Sequence, residues 1–147
     1  MAPPPRIAAR AIILHEGRLL LVNAWPGGRS DLWCAPGGGV ERGQSLPETL
    51  MREVAEETGL RIAVEEPALV NEFHDPARGF HQIEVFFRAR ITSAGLDPGW
   101  RDPAGVVTER RFFARAEMET IRFKPDLLPA AAWGTGCLYD PLEPILR

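Results

Sequence analysis

Glu53, Glu56 and Glu57 are the residues in this sequence whose type and spacing do chemistry. They are related by steps of three and four, so on a helix they cluster on one face. Each like-charge pair costs about 0.2–0.5 kcal/mol. They also crowd the last turns of the helix that the flanking residues predict. That is the negative end of the helix dipole, where each exposed anion loses about 0.3–1 kcal/mol. The only neighbouring base is Arg52. One reading is a solvated acidic face. The other is a ligand set for a hard cation, Mg2+ or Mn2+, which carboxylate and carbonyl oxygens suit. A bound cation converts the repulsion into attraction. The preceding run Pro36-Gly37-Gly38-Gly39 favours the second reading, because glycine backbone can come close to a ligand.

The elements that must position these carboxylates follow from local signals. Ser45 and Glu48 form an S-x-x-E capping box, and Pro47 sits in the first turn, where a missing N–H costs nothing. Gly59 is a natural left-handed cap. A helix is therefore predicted from about Ser45 to Thr58. Leu50, Met51, Val54, Ala55 and Thr58 form its core-facing side, and Glu48 and Arg52 are spaced to pair. Upstream, Ile7 to Leu14 and Leu19 to Trp25 read as strands joined by a Glu16-Gly17 turn. Residues 26–30 and 36–39 read as loops on either side of a short apolar run, Leu32 to Ala35. Downstream, strands are predicted at Ile62 to Val64, Ala68 to His74, Gln82 to Ile91 and Val106 to Phe113. Thr92 to Gly105 reads as a loop, and Glu117 to Ile121 and Leu127 to Trp133 as short helices. This order predicts a mixed α/β fold rather than regular βαβ repetition.

The bulk composition narrows the function classes. A chain of 147 residues fits a single domain spanning residues 1–147. The net charge is −3, and no run of Lys or Arg marks a polymeric nucleic-acid partner. A small anionic substrate remains compatible, since a bound cation reverses the local field. Cys34 and Cys137 are far apart and form no C-x-x-C pair, so each reads as a small apolar filler in a reducing compartment. No apolar signal core or membrane-length segment is present, which makes a cytoplasmic, membrane-free protein the expectation.

The stretch from Gly38 through Gln44 to Arg52-Glu53-Val54-Ala55-Glu56-Glu57-Thr58-Gly59-Leu60 resembles the Nudix box, G-x5-E-x7-R-E-U-x-E-E-x-G-U, with U a bulky aliphatic. Every typed position over residues 38–60 matches except Gln44, where the family has Glu. The resemblance implies an α/β/α sandwich around a mixed sheet, with the box as a loop–helix–loop. It also implies metal-dependent hydrolysis of a phosphoanhydride bond in a nucleoside diphosphate linked to another group. By the same resemblance Glu53, Glu56 and Glu57 are metal ligands, and a carbonyl of Gly37 or Gly38 completes the shell. Arg52 orients the glutamates, and Gln44 acts from behind the ligands. The general base is a glutamate, either within the box (Glu53 or Glu56) or from a later loop. Glu109, just before the strand end at Phe112-Phe113, is the leading later residue and Glu84 the second. Beside His81 and Ile83 in a strand, Glu84 reads equally well as an exposed-face residue.

Substrate choice lies outside the box. Arg29, Arg42, Arg78, His74 and His81 are available to phosphates, and Trp25, Trp33, Phe73 and Phe80 to a base, although surface and core roles are the ordinary fate of such residues. Pro76, sixteen residues past Leu60, resembles a feature of the ADP-ribose pyrophosphatase subgroup. ADP-ribose or a nucleotide sugar is therefore the first expectation, and a (deoxy)nucleoside triphosphate the second. A non-catalytic Nudix-fold nucleotide-binding or regulatory module is the alternative that Gln44 favours. The family also implies a possible homodimer.

Overall fold

The computed structural model describes residues 3–23, 25 and 29–147. The first strand, β1 (Arg6–His15), turns at Glu16 and Gly17 into β2 (Arg18–Asn23). Leu14 pairs with Leu19 and His15 with Arg18, leaving a two-residue loop with positive φ at both positions, as a tight hairpin of this type requires. Then follow β3 (Leu32–Cys34), β4 (Gly37–Gly39), α1 (Leu46–Thr58), β5 (Ile62–Asp75), β6 (Phe80–Ile91), β7 (Arg110–Phe113), β8 (Arg122–Phe123), α2 (Leu128–Ala132) and β9 (Leu138–Pro144). A 3-10 turn at Pro76–Arg78 joins β5 to β6, and a second occupies Arg115–Thr120.

Among the described residues the strands form one mixed sheet in the order β8-β3-β2-β1-β6-β5-β9, with β4 against β1 and β7 against β2. The central pair β1–β6 is parallel, while β1–β2 and β5–β6 are antiparallel. Side chains alternate across it and fill two cores. On one face Ala9, Ala11, Ile13, Leu20, Phe87 and Ala89 meet Leu50 and Val54 of α1. On the other Ile12, Leu19, Leu21, Leu69 and Phe86 meet Met118, Leu128, Ala131 and Ala132. This is the expected α/β/α sandwich, and no helix among the described residues is long and apolar enough to cross a membrane.

Several local expectations are corrected. Residues 37–39 are a strand rather than a loop: Ala8, Ala9 and Arg10 pair with Gly39, Gly38 and Gly37. A Cβ on Gly37 would lie 2.0 Å from the Ala9 carbonyl oxygen, so glycine here serves a close backbone approach. The two strand segments after α1 are one strand, β5, with register shifts around Pro67, where proline and a bulge go together. The strand expected at Val106 begins only at Arg110. The amides of Val106 and Val107 donate to Asp102, and those of Thr108 and Glu109 to Asn23, so side chains take the donors a ladder would use. Met51 is 45% exposed, outside the core face assigned to it. The helix expected at Glu117 is the 3-10 turn. Of the loop expected at 26–30, Pro26, Gly27 and Gly28 lie outside the described residues.

Candidate active site

Helix α1 sets the carboxylates. The Ser45 hydroxyl accepts from the Glu48 amide at 3.2 Å, the Ser45 half of the predicted box, and Gly59 closes the helix in the left-handed conformation. The carbonyls of its last turn are covered by other elements. The Trp100 indole donates to the Glu56 carbonyl at 2.9 Å, and the Arg110 guanidinium donates to the Glu57 carbonyl. The cation that the helix dipole favours thus comes from β7 rather than from the helix itself.

Arg52 does not pair with Glu48. Its guanidinium donates to Glu53 at 3.0 Å and to the Gln44 side-chain oxygen at 3.2 Å, and it approaches Glu56 at 3.6 Å. Glu57 is buried and accepts from the Gly37 amide at 3.4 Å. Burial pushes its carboxyl up to about 8, against the opposing pull of Arg10 and the Gly37 N–H. Glu53 packs so closely on β4 that a Cβ on Gly38 would lie 2.5 Å from its carboxyl carbon. All three glutamates line one cavity of about 240 Å3 with Gly37, Gly38 and Gly39. Among the described residues no three acidic, His or Cys side chains converge tightly enough to form a metal cluster unaided. Glu53 and Glu56 lean on Arg52 while Glu57 leans on β4.

Arg10 enters this cavity from β1. It donates to Glu84 at 2.7 Å and to the carbonyls of Ala35 and Gly37 at 3.3 and 3.2 Å. Burial opposes its charge, but Glu84 and Glu57 outweigh that and hold its pKa above the ordinary arginine value. Glu84 is therefore not an exposed-face residue. It is 6% exposed, and Gln82 donates to it at 2.9 Å. Glu109 is exposed, and it lines a separate cavity with Trp33 and Asp97 rather than the one holding Glu53, Glu56 and Glu57. The Asn23 tie on its amide fixes that position. Cys34 lines the carboxylate cavity, with burial raising its thiol to about 12, which agrees with a filler. Cys137 is exposed, which does not.

A second cavity, of about 300 Å3, adjoins the first. It is lined by Trp25, Phe73, Phe80, Asn71, Glu84 and Lys124, and Arg6, Arg10 and Cys34 line both cavities. The sheet brings these together by alternation. Asn71 and Phe73 on β5 stand opposite Glu84 and Gln82 on β6, and Arg6 on β1 is in register with Gln82. Of the aromatics singled out in the sequence, Trp33 instead packs edge-on against Phe113 at 5.0 Å. His74 and His81 face each other across the β5–β6 pair, and they, Arg42 and Arg78 line neither cavity. Arg29 is exposed. Arg6, Arg10, Asn71 and Lys124 carried no sequence signal, since only the register of distant strands places them together.

A model of the NUDIX domain matches residues 4–133. An ADP-ribose pyrophosphatase of Methanocaldococcus jannaschii is 30% identical over 97 residues, 65% of this chain and 56% of its own length. A MutT-like protein of Streptomyces ambofaciens is 31% identical over 121 residues, 78% of this chain and 71% of its own. The chain spans about half the length of the curated relatives named for ADP-ribose pyrophosphatase. The solved structure of a NUDIX hydrolase from Nitrosomonas europaea superposes with a TM-score of 0.73 at 23% identity, covering 87% of this chain and 86% of that one. With the box on α1, the carboxylate cavity beside it and the domain match over most of its length, the chain belongs to the Nudix family.

Proposed function

We propose that the protein hydrolyses a phosphoanhydride bond in a nucleoside diphosphate linked to a second group, with ADP-ribose or a nucleotide sugar as the substrate class. The observation that carries this reading is the meeting of two cavities at Arg6 and Arg10. One is acidic and beside glycine backbone; the other is aromatic. An anionic diphosphate fits the basic junction, a base fits the aromatic side, and the bond to be broken falls beside the carboxylates. The name of the M. jannaschii relative supports the ADP-ribose class.

The residues fit a divalent cation. Carboxylate oxygens of Glu53, Glu56 and Glu57 and the carbonyl of Gly37 are hard donors around one cavity, and the glycine at 38 leaves the Glu53 carboxylate room against the strand. Bound there, Mg2+ or Mn2+ would neutralise the phosphate charge that repels an incoming nucleophile. The chain's own groups do the rest. Arg6 and Arg10 hold the diphosphate. Arg52 orients Glu53 and Glu56, and Gln44 steadies Arg52. A carboxylate of the box, Glu53 or Glu56, takes the proton of the attacking water.

The test is incubation with Mg2+ or Mn2+ and a panel of ADP-ribose, nucleotide sugars, dinucleoside polyphosphates and nucleoside triphosphates, with chromatography of the products. Metal-dependent AMP from ADP-ribose is the expected result. Turnover of triphosphates alone would reassign the substrate class, and no turnover of any compound by folded protein would overturn the hydrolase reading.

A further inference from the structure

Asn71 is 2% exposed and lines the aromatic cavity, yet its side-chain oxygen has no hydrogen-bond partner among the described residues. The indole N–H of Trp25, on the same cavity, is also buried and has no partner among the described residues. The charged side chains there are engaged, Arg6 with Gln82 among them. Glu84 holds Arg10 and Gln82, and Lys124 holds Asp126 and Glu143. Buried polar groups are nearly always paired, and one left unpaired costs stability. An Asn kept at this position for the fold alone would serve worse than Leu. One unpaired acceptor and one unpaired donor thus share a cavity flanked by Phe73 and Phe80, whose ring centroids are 6.0 Å apart. A planar heterocycle with a donor next to an acceptor meets both needs.

We propose that Asn71 is a specificity-determining residue whose side-chain oxygen accepts from the exocyclic amino group of a 6-aminopurine, with the Trp25 N–H donating to a ring nitrogen. This rests on the aromatic cavity being the base site proposed above. In adenine the amino donor adjoins a ring-nitrogen acceptor. In a 6-oxopurine the carbonyl takes the place of the amino group, and the ring N–H that adjoins it reverses the pattern. The phosphates, held at Arg6 and Arg10, fix the side from which the sugar enters, so the base cannot turn over to compensate. A 6-oxopurine sets its carbonyl against the Asn71 oxygen unless the amide turns over, and in either case its ring N–H meets the Trp25 N–H, donor against donor. That leaves buried groups unpaired, the situation in which polar sites discriminate strongly.

The experiment is calorimetric titration of AMP and of inosine 5′-monophosphate (IMP) into the full chain in EDTA, so that neither metal nor turnover contributes, together with thermal melts of Asn71→Leu. The wild type is expected to bind AMP about tenfold tighter than IMP. Asn71→Leu is expected to bring the two within about twofold, by weakening AMP, and to melt no lower than the wild type, since it removes an unpaired buried oxygen. Equal wild-type affinities, an unchanged AMP-to-IMP ratio in the variant, or a clearly lower melting temperature would each overturn the Asn71 assignment alone. Failure of both nucleotides to bind the wild type would instead overturn the reading of the aromatic cavity as a base site, and this assignment with it.

Discussion

The Arg52 guanidinium donates to the side-chain oxygen of Gln44 at 3.2 Å while also holding Glu53 at 3.0 Å. Gln44 is the one typed position at which the box departs from the family pattern. An amide oxygen keeps the acceptor and loses only the charge. Gln44→Glu should therefore strengthen this bond, as charge-assisted bonds are about twice as strong as neutral ones, and raise activity a few-fold from a measurable base. Steady-state rates of both proteins check this. Activity that exists only in the Glu variant would mean that the natural chain is a binding module.

Arg52→Ala releases Glu53, Glu56 and Gln44 together. Turnover should fall by about two orders of magnitude, the scale of a lost positioning contact. The melting temperature should move little, because the arginine side chain is 31% exposed and such pairs contribute about 0–1 kcal/mol.

Adjacent glycines separate fold from site. In Gly37→Ala the new methyl meets the Ala9 backbone, which has no room to yield, and a loss of about 1–3 kcal/mol or more is expected from overpacking. In Gly38→Ala it meets the end of the Glu53 side chain, which can swing away. That variant should keep its denaturation midpoint and lose turnover. Chemical denaturation and rate measurements on both variants test the contrast.

Glu84→Gln leaves the Arg10 guanidinium without its carboxylate, at an ion pair whose side chains are 19% and 8% exposed. Breaking a buried pair from one side costs about 3–5 kcal/mol, and this partly exposed one should fall at the lower end. Urea denaturation of the variant against the wild type measures it.

The thiols should differ in reactivity. Burial holds Cys34 at about 12, so almost none of it is thiolate at pH 8, whereas Cys137 is exposed. Iodoacetamide followed by mass spectrometry should find one alkylated cysteine in the native protein, Cys137, and both after denaturation.

What the sequence discloses here is what is local. Ser45, Pro47 and Gly59 bound α1 within a few residues of where their signals act, and the step of three and four between Glu53, Glu56 and Glu57 is a property of the helix alone. The hairpin at Glu16-Gly17 is legible for the same reason. Arg10 and Glu84 are separated by 74 residues, and only the parallel register of β1 on β6 joins them. Arg110 reaches the end of α1 by the same kind of long-range placement. Strand β4 escaped because three glycines signal a turn more strongly than a strand, and their close approach to β1 is a tertiary fact. Strand β9 escaped because Pro141 and Pro144 argue against a ladder, which an edge strand tolerates. The placing of Glu109 beside Trp33 and Asp97 was not legible either, because the Asn23 bond to its amide is a contact across 86 residues.

The most direct test of the central claim is hydrolysis of ADP-ribose in 18O-enriched water with Mg2+, by the wild type and by Glu57→Gln, with mass analysis of the phosphate-bearing products. Wild-type protein should place 18O on a product phosphate in a metal-dependent reaction. Glu57→Gln, shown to be folded by circular dichroism, should be slower by at least about a hundredfold, which is about 2.7 kcal/mol of barrier. Unlabelled phosphate products, or an undiminished rate in the variant, would contradict attack of water on phosphorus at the α1 carboxylates.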